Sequence, residues 1–264
     1  MEYSNESSLR SSLVVQFRVL HALLMREVIT RFGRENLGVL WVVGEPLVFT
    51  LFVAALWTLT GQHRGAGISP ISLAITGYSG VLLWRNPTSH AASGIVQNKG
   101  LLYHRNVRLL DVFIARIVVE MAGATASLAV LSSVFIYLGL MPLPVDVMGV
   151  AFGWLMLAWF GLGLALWTGG ATAFSPVVEK IWIPTAYVLM PLSGAAFMVD
   201  WLPARMQPFA LLLPMVHGME IIREGWFGKA VHPHYEIGYM VRCCLVFSLS
   251  GVFLIRLAGR RVTP

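Results

Sequence analysis

MREVITRFGRENLGVLWVVGEP, Met25 to Pro46, joins a charged segment to an apolar one with almost no connecting chain. Arg26, Glu27, Arg31, Arg34 and Glu35 crowd its first half, and from Gly38 the residues are apolar until Glu45-Pro46 interrupts them. Basic charge that stops where a long apolar run starts marks the water side of a membrane boundary. The whole chain agrees, with 57% hydrophobic and only 12% charged residues and a mean hydropathy of +0.72. Soluble domains carry about 25% charged residues, so this chain cannot cover a water-facing surface.

A helix rises about 1.5 Å per residue, so crossing a hydrocarbon core of about 30 Å takes roughly 20 mostly apolar residues. Runs near 39–60, 68–85, 112–139, 147–173, 181–199 and 237–257 suit that requirement. They predict an all-α membrane protein with six transmembrane helices in a single domain spanning 1–264. The N-terminal residues include Glu2, Glu6 and Arg10 with no early apolar run, unlike a cleavable signal peptide.

Charge orients the spans. Arg10, Arg18, Arg26, Arg31 and Arg34 precede the first, Lys99, Arg105 and Arg108 follow the second, and Arg256, Arg260 and Arg261 close the chain. The 61–67 connection has only Arg64, and 140–146 has no basic residue. Basic residues favour the cytoplasmic side, which places both termini and the 98–110 loop there. The net charge of +6 is then a topology signal and calls for no nucleic acid. The 198–236 stretch falls outside by parity, yet Pro208 to Ile222 is strongly apolar and broken by Pro214. A seventh span would put the C-terminal arginines outside. Two short re-entrant helices within 200–230, buried against other helices on the outer side, avoid that conflict.

No G-x-x-x-x-G-K-[ST] occurs, so no nucleotide is expected through a P-loop, and no metal-ligand spacing or catalytic constellation is present. Cys243-Cys244 reads as packing at the start of the last span, and His232-Pro233-His234 as a solvated outer loop. This chain is expected to be no enzyme and to bind no cofactor or metal.

Positive information lies in three places. Phe17, Leu20, Leu24 and Val28 recur at helical spacing, predicting an amphipathic interface helix over 13–34 that carries Arg26, Glu27, Arg31 and Arg34, with Arg31 on the apolar line. Asn98, Lys99, Gly100, Leu101, Leu102, Tyr103, His104 and Arg105 form a short cytoplasmic helix, 98–106, with an apolar knob suited to a cleft on a soluble partner. Within the spans, Arg116 and Glu120 are four apart and able to pair, whereas Glu45 has no local partner and precedes a helix-bending proline. An intramembrane carboxylate faces protein or water, which puts Glu45 at a helix joint or beside a water-filled path.

REVITRFGRENLGVLWVVGEP resembles the opening signature of type-2 ABC exporter permeases, and the Glu before Pro46 points to their capsular-polysaccharide branch. NKGLLYHRNVRLLD with VFIAR resembles that family's coupling helix and third span. PLSGAAFMVDWLP with LLLPMVHGMEIIREGWFG resembles its fifth span and re-entrant segment, with Leu213-Pro214-Met215 where the family commonly has Asn-Pro-Leu. The likeness covers about residues 20–258.

The resemblance implies a permease of the bacterial inner membrane, paired as a homodimer with two separate ATPase subunits that hold ATP and Mg. Residues 98–106 would then be the coupling helix and 17–34 the interface helix beside the ATPase. The cargo would be a lipid-linked polysaccharide, handed on to periplasmic and outer-membrane components. Glu45, Tyr78, Trp84, Arg85, Trp154, Trp159 and Trp167 are the candidates for the canal wall, since aromatic faces stack on sugar C–H faces. The alternatives are a type-2 ABC exporter of O-antigen, teichoic acid, lipid or drug, and an ion-coupled secondary carrier. The carrier would be expected to show repeats and broken helices around midplane charges.

Overall fold

The computed structural model describes residues 3–32, 38–60, 68–94 and 108–262, and among them there are helices and turns but no strand. The principal helices are α1 (Tyr3–Phe32), α2 (Gly38–Thr60), α3 (Pro70–Ala92), α4 (Leu109–Tyr137), α5 (Val147–Thr172), α6 (Val177–Met190), α7 (Pro214–Phe227) and α8 (Ile237–Val262). Local chemistry fixes their ends. Pro70 and Pro214 start α3 and α7, where a missing N–H leaves no bond unmade. Asp111 accepts from the Arg108 N–H at the start of α4 (3.3 Å), and Asp146 caps α5 by accepting from Met148 N–H (2.9 Å). Gly139 follows α4 at φ +70 and Gly228 follows α7 at φ +54, in the left-handed region that a side chain disfavours.

Helices lie over each of the six apolar runs. Leu109–Tyr137, Val147–Thr172 and Ile237–Gly259 are long and apolar enough to cross a bilayer. The 181–199 run departs from a plain span. Its α-helix begins at Val177, stops at Met190 and passes into a π-helical turn, Pro191–Ala195, in which Gly194 has φ +80. Pro191 and Gly194 end the regular hydrogen-bond ladder before a membrane's thickness is covered.

α5 is the centre of the molecule, packed against α8, α3 and α7. Its crossing with α8 is close because Gly251 presents only hydrogen: a Cβ there would meet the Trp167 backbone nitrogen at 2.6 Å. The core holds Trp84, Leu157, Met219, Ile222 and Met240, all fully shielded. Large apolar residues also cover the perimeter, among them Phe52 of α2, Leu155 of α5, Val188 of α6 and Leu249 of α8. A water-facing surface does not carry apolar bands of this extent.

The two ends of the molecule differ. One gathers the start of α3, the turn after α4 and the far end of α7. There Asp146 N–H donates to the Gly225 carbonyl (2.8 Å) and Val145 N–H to that of Trp226 (3.3 Å), while Trp226 Nε1 donates to Pro142 (3.0 Å). The other end joins α1 to the first half of α4 and the last turn of α3. Of the re-entrant segment expected over 200–230, the structure has a single turn at Gln207–Ala210 and the largely buried α7.

Candidate functional site

The charged stretch before the first span is welded to α4. Gln16 Nε2 donates to Asp111 Oδ1 (2.6 Å), Leu23 packs with Val112 and Ala115, and Glu27 Oε1 lies 3.4 Å from Arg116 Nε. Residues 16, 20, 23 and 27 thus form the inward line, polar at its ends and apolar in the middle. Phe17 is 71% exposed and Val28 is exposed, so these members of the apolar line face outward, while α4 offers Asp111 and Arg116 as polar anchors to the line beside it. The helix also begins well before residue 13, at Tyr3. Arg26 is on the exposed side. The side chain of Arg31, and Arg34 entirely, lie outside the described residues, as do 98–105.

Arg116 and Glu120 each reach a different neighbour. Arg116 meets Glu27 of α1, and Glu120 Oε1 lies 3.3 Å from His90 Nε2 of α3. Two turns of α4 therefore tie α1 and α3 to one helix through polar side chains. An intramembrane carboxylate needs a partner, and that rule applied to Glu120 is the sequence signal that finds His90.

Glu45 and Tyr78 come together, with Arg85 two turns further along α3. Tyr78 Oη donates to Glu45 Oε1 at 3.5 Å, its ring stacks on Phe49 with centroids 3.9 Å apart, and Pro46 sits inside a continuous α2. One helical stretch along α3, Arg85 holds its guanidinium 4.7 Å from the Tyr187 ring centroid. Tyr78 is buried, whereas Tyr187 is 60% exposed and Glu45 is exposed, so α2, α3 and α6 present a mixed face of Glu45, Arg85 and Tyr187. Sequence reading missed Tyr187, one tyrosine in an apolar run with no charge beside it.

The tryptophans divide. Trp84 is fully buried, edge-on to Trp182 at 6.5 Å. Trp154 Nε1 donates to Thr125 of α4 (3.0 Å) and Trp159 Nε1 to Ser248 of α8 (3.1 Å). Trp167 meets Phe247 edge-on at 6.1 Å. These three lie at the contacts of α5 with α4 and α8, apart from the Glu45–Arg85–Tyr187 face.

α7 carries a buried polar network that the sequence reading passed over, although His217, Glu220 and Arg223 stand on one helical line in an apolar run. Glu220 accepts from Val199 N–H (3.2 Å) and His234 N–H (3.0 Å). Burial raises its carboxyl pKa, against the pull of those bonds and of Arg223. Arg223 donates to the carbonyls of Phe197 (2.5 Å) and Ala195 (2.8 Å). His217 Nδ1 accepts from Glu236 N–H (2.8 Å), so Nε2 carries the hydrogen and donates to Leu211 (2.9 Å); burial lowers its pKa. His234 Nδ1 lies 3.0 Å from the His232 carbonyl, and among the described residues no group of three or more His, Cys, Asp or Glu is placed to hold a metal.

An α1 fused to an apolar helical body, with buried charges at the joints, marks a membrane domain. The chain belongs to the ABC-2 type transporter family, whose sequence model matches residues 18–227. It is 41% identical over 265 residues to the capsule polysaccharide export inner-membrane protein CtrC of Neisseria meningitidis serogroup B, covering 100% of both chains. It is 37% identical over 264 residues to the capsule polysaccharide export inner-membrane protein BexB of Haemophilus influenzae, again over 100% of both. The polysialic acid transport protein KpsM of Escherichia coli is 25% identical over 249 residues, 94% of this chain and 96% of that one. Family membership bears out the resemblance read at residues 25–46 and sets aside the ion-coupled carrier.

Proposed function

We propose that this chain is the membrane subunit of an ABC exporter that moves lipid-linked capsular polysaccharide out across the bacterial inner membrane. End-to-end identity of 41% and 37% with two inner-membrane proteins named for capsule polysaccharide export carries this reading. Six segments cross the membrane with both termini cytoplasmic, the fifth made of α6 together with the π turn that continues it, and the segment over 200–230 is a re-entrant cap on the outer side. Two copies enclose the canal, and two ATPase subunits supply the ATP and Mg chemistry that this chain lacks. Periplasmic and outer-membrane components receive the product.

Force enters through two elements. Residues 98–106 dock in the ATPase, and α1 lies beside it, joined to α4 through Glu27–Arg116 and Gln16–Asp111. A push on either element is carried into α4, and from Glu120 to His90 of α3. The face bearing Glu45, Arg85 and Tyr187 belongs to α2, α3 and α6, whose exposed apolar residues suit a second copy while the polar groups suit a hydrated canal. There the Glu45 carboxylate, the Arg85 guanidinium and the Tyr187 ring meet a glycan as it slides, with the buried Tyr78 supporting Glu45 from behind.

Transport depends on the apolar knob Leu101, Leu102 and Tyr103 more than on its charged rim. Truncating a group that fills a desolvated cleft often costs above about 1 kcal/mol, whereas a solvated ion pair contributes roughly 0–1 kcal/mol. Tyr103→Ala is expected to abolish or strongly reduce surface polysaccharide while the chain stays in the membrane, with weaker co-purification of the ATPase or hydrolysis uncoupled from export. Arg105→Ala is expected to do less. Normal export by both Tyr103→Ala and a Leu101/Leu102 double alanine variant would remove this segment from the mechanism.

A further inference from the structure

At the α7 end of the molecule a cleft of about 810 Å³ opens between the start of α5, the far end of α7 and the start of α8. Its volume falls within the range of small-molecule sites, roughly 300–1,000 Å³. Its chemistry is divided. Phe152 of α5 and Ile237 of α8 give it an apolar wall, and Asp146, Glu224, Lys229 and Tyr235 give it a polar one.

The charges in the cleft are arranged for something other than each other. Two carboxylates and an ammonium line one space, yet no ion pair among the described residues joins them, while the neighbouring exposed Arg242 and Glu236 do pair at 3.0 Å. Each carboxylate is held by one oxygen. Asp146 Oδ1 accepts from Met148 N–H (2.9 Å), and Glu224 Oε2 accepts from Tyr235 Oη (2.7 Å). That bond, with burial, pushes the Tyr235 pKa up to about 12. The second oxygen of each carboxylate is left to accept from a ligand. The apolar wall continues outside the cleft: Phe152 is 43% exposed and is followed one turn on by Leu155, while Ile237 leads along α8 to Leu245 and Leu249, all exposed.

We propose that this cleft seats a phospholipid whose headgroup carries a primary ammonium beside its phosphate, the phosphoethanolamine type. Asp146 and Glu224 accept hydrogen bonds from the ammonium, Lys229 meets the phosphate, and the acyl chains lie along the exposed faces of α5 and α8. A charge-assisted bond of this kind is short and directional, so it distinguishes N–H donors from a methylated nitrogen. Inorganic phosphate or an acidic glycan meets two carboxylates and one lysine, an unfavourable balance, and has no use for the apolar wall. The inference uses the orientation proposed above only to assign the lipid to the outer leaflet.

The test is native mass spectrometry of the full chain, delipidated and then offered equal amounts of phosphatidylethanolamine and phosphatidylcholine with the same acyl chains. Phosphatidylethanolamine adducts are expected to exceed phosphatidylcholine adducts by about tenfold, the worth of a hydrogen bond to a charged group. Single and double N-methylation of the headgroup should lower retention stepwise. Asp146→Asn with Glu224→Gln keeps the α5 cap and the tyrosine acceptor, so the fold is preserved, and it should bring the ratio close to one. Lys229→Ala should weaken both lipids, and Arg242→Ala, outside the cleft, should leave the ratio unchanged. Millimolar free phosphoethanolamine should not displace the lipid, because it lacks the chains.

Equal retention of the two lipids by the unaltered chain, or a ratio indifferent to the carboxylate substitutions, overturns the proposal. So does displacement by the free headgroup, which would make the site one for a soluble ligand. No glycan, ATP or partner enters the measurement, so such a result would leave the polysaccharide-export reading standing.

Discussion

Arg223 is fully buried, and its guanidinium holds the carbonyls of Ala195, the last residue of the π turn, and of Phe197 just beyond it. Arg223→Met keeps the length and apolar stem but leaves the Ala195 and Phe197 oxygens without their donor. Buried polar groups stripped of a partner cost about 1–3 kcal/mol each, so a clear drop in the thermal unfolding midpoint in detergent is expected. Arg242→Met, at the exposed pair with Glu236, should move it far less; equal effects would contradict the assignment. His217 titrates as well as packs. Its folded pKa lies below the ordinary 6.5, chiefly through burial. The stabilisation from keeping it neutral is therefore full above pH 6.5, lost progressively as pH falls below that value, and gone below the folded pKa. Protonation also removes the acceptor for Glu236 N–H. The stability difference between the unaltered chain and His217→Phe should shrink as pH is lowered from 8 to 5, a comparison that cancels Glu220 and other shared groups. Parallel pH curves would show that His217 does not titrate in this range.

Helix contacts set the next scale. α5 and α8 cross where Gly251 lies against the Trp167 and Leu166 backbone, which cannot yield as a flexible side chain can. Gly251→Ala is expected to destabilise by about 1–3 kcal/mol, the range for overpacking. Gly259→Ala, on the same helix with nothing within 4 Å of a new Cβ, should be neutral or mildly stabilising. Unfolding midpoints of the two variants decide it, and a neutral Gly251→Ala would mean the crossing is looser than described. Helix positions were legible in the sequence because apolar length is a direct physical requirement of a span. The contacts of α1 with α4 were not: periodicity gives a line of apolar residues, whereas Gln16 and Glu27 meet Asp111 and Arg116, polar partners supplied by another helix. The joining of Glu45 with Tyr78 could be anticipated only as far as the rule that such charges face protein or water. Trp154, Trp159 and Trp167 show the limit of composition, since their partners Thr125, Ser248 and Phe247 are supplied by other helices.

At the scale of the whole molecule, the α7 end is locked by backbone bonds from α7 to the turn before α5 and by the buried His217–Glu220–Arg223 line. The opposite end is tied by side-chain pairs between α1, α4 and α3. This asymmetry suits a device pushed from one side. In the exporter proposed above, work from ATP would enter at the end where polar side chains tie α1, α4 and α3 together, and the α7 end would respond as a unit. An exporter of the proposed kind translocates glycan only when an ATPase drives it. The direct measurement uses sealed vesicles carrying the full chain, with its ATPase on the accessible face and lipid-linked capsular polysaccharide offered there. Polysaccharide protected from an added glycan-degrading enzyme is expected to accumulate only when both proteins and ATP with Mg are present, and to be lost with Tyr103→Ala. Accumulation without the ATPase, or ATP hydrolysis by this chain alone, would contradict the account.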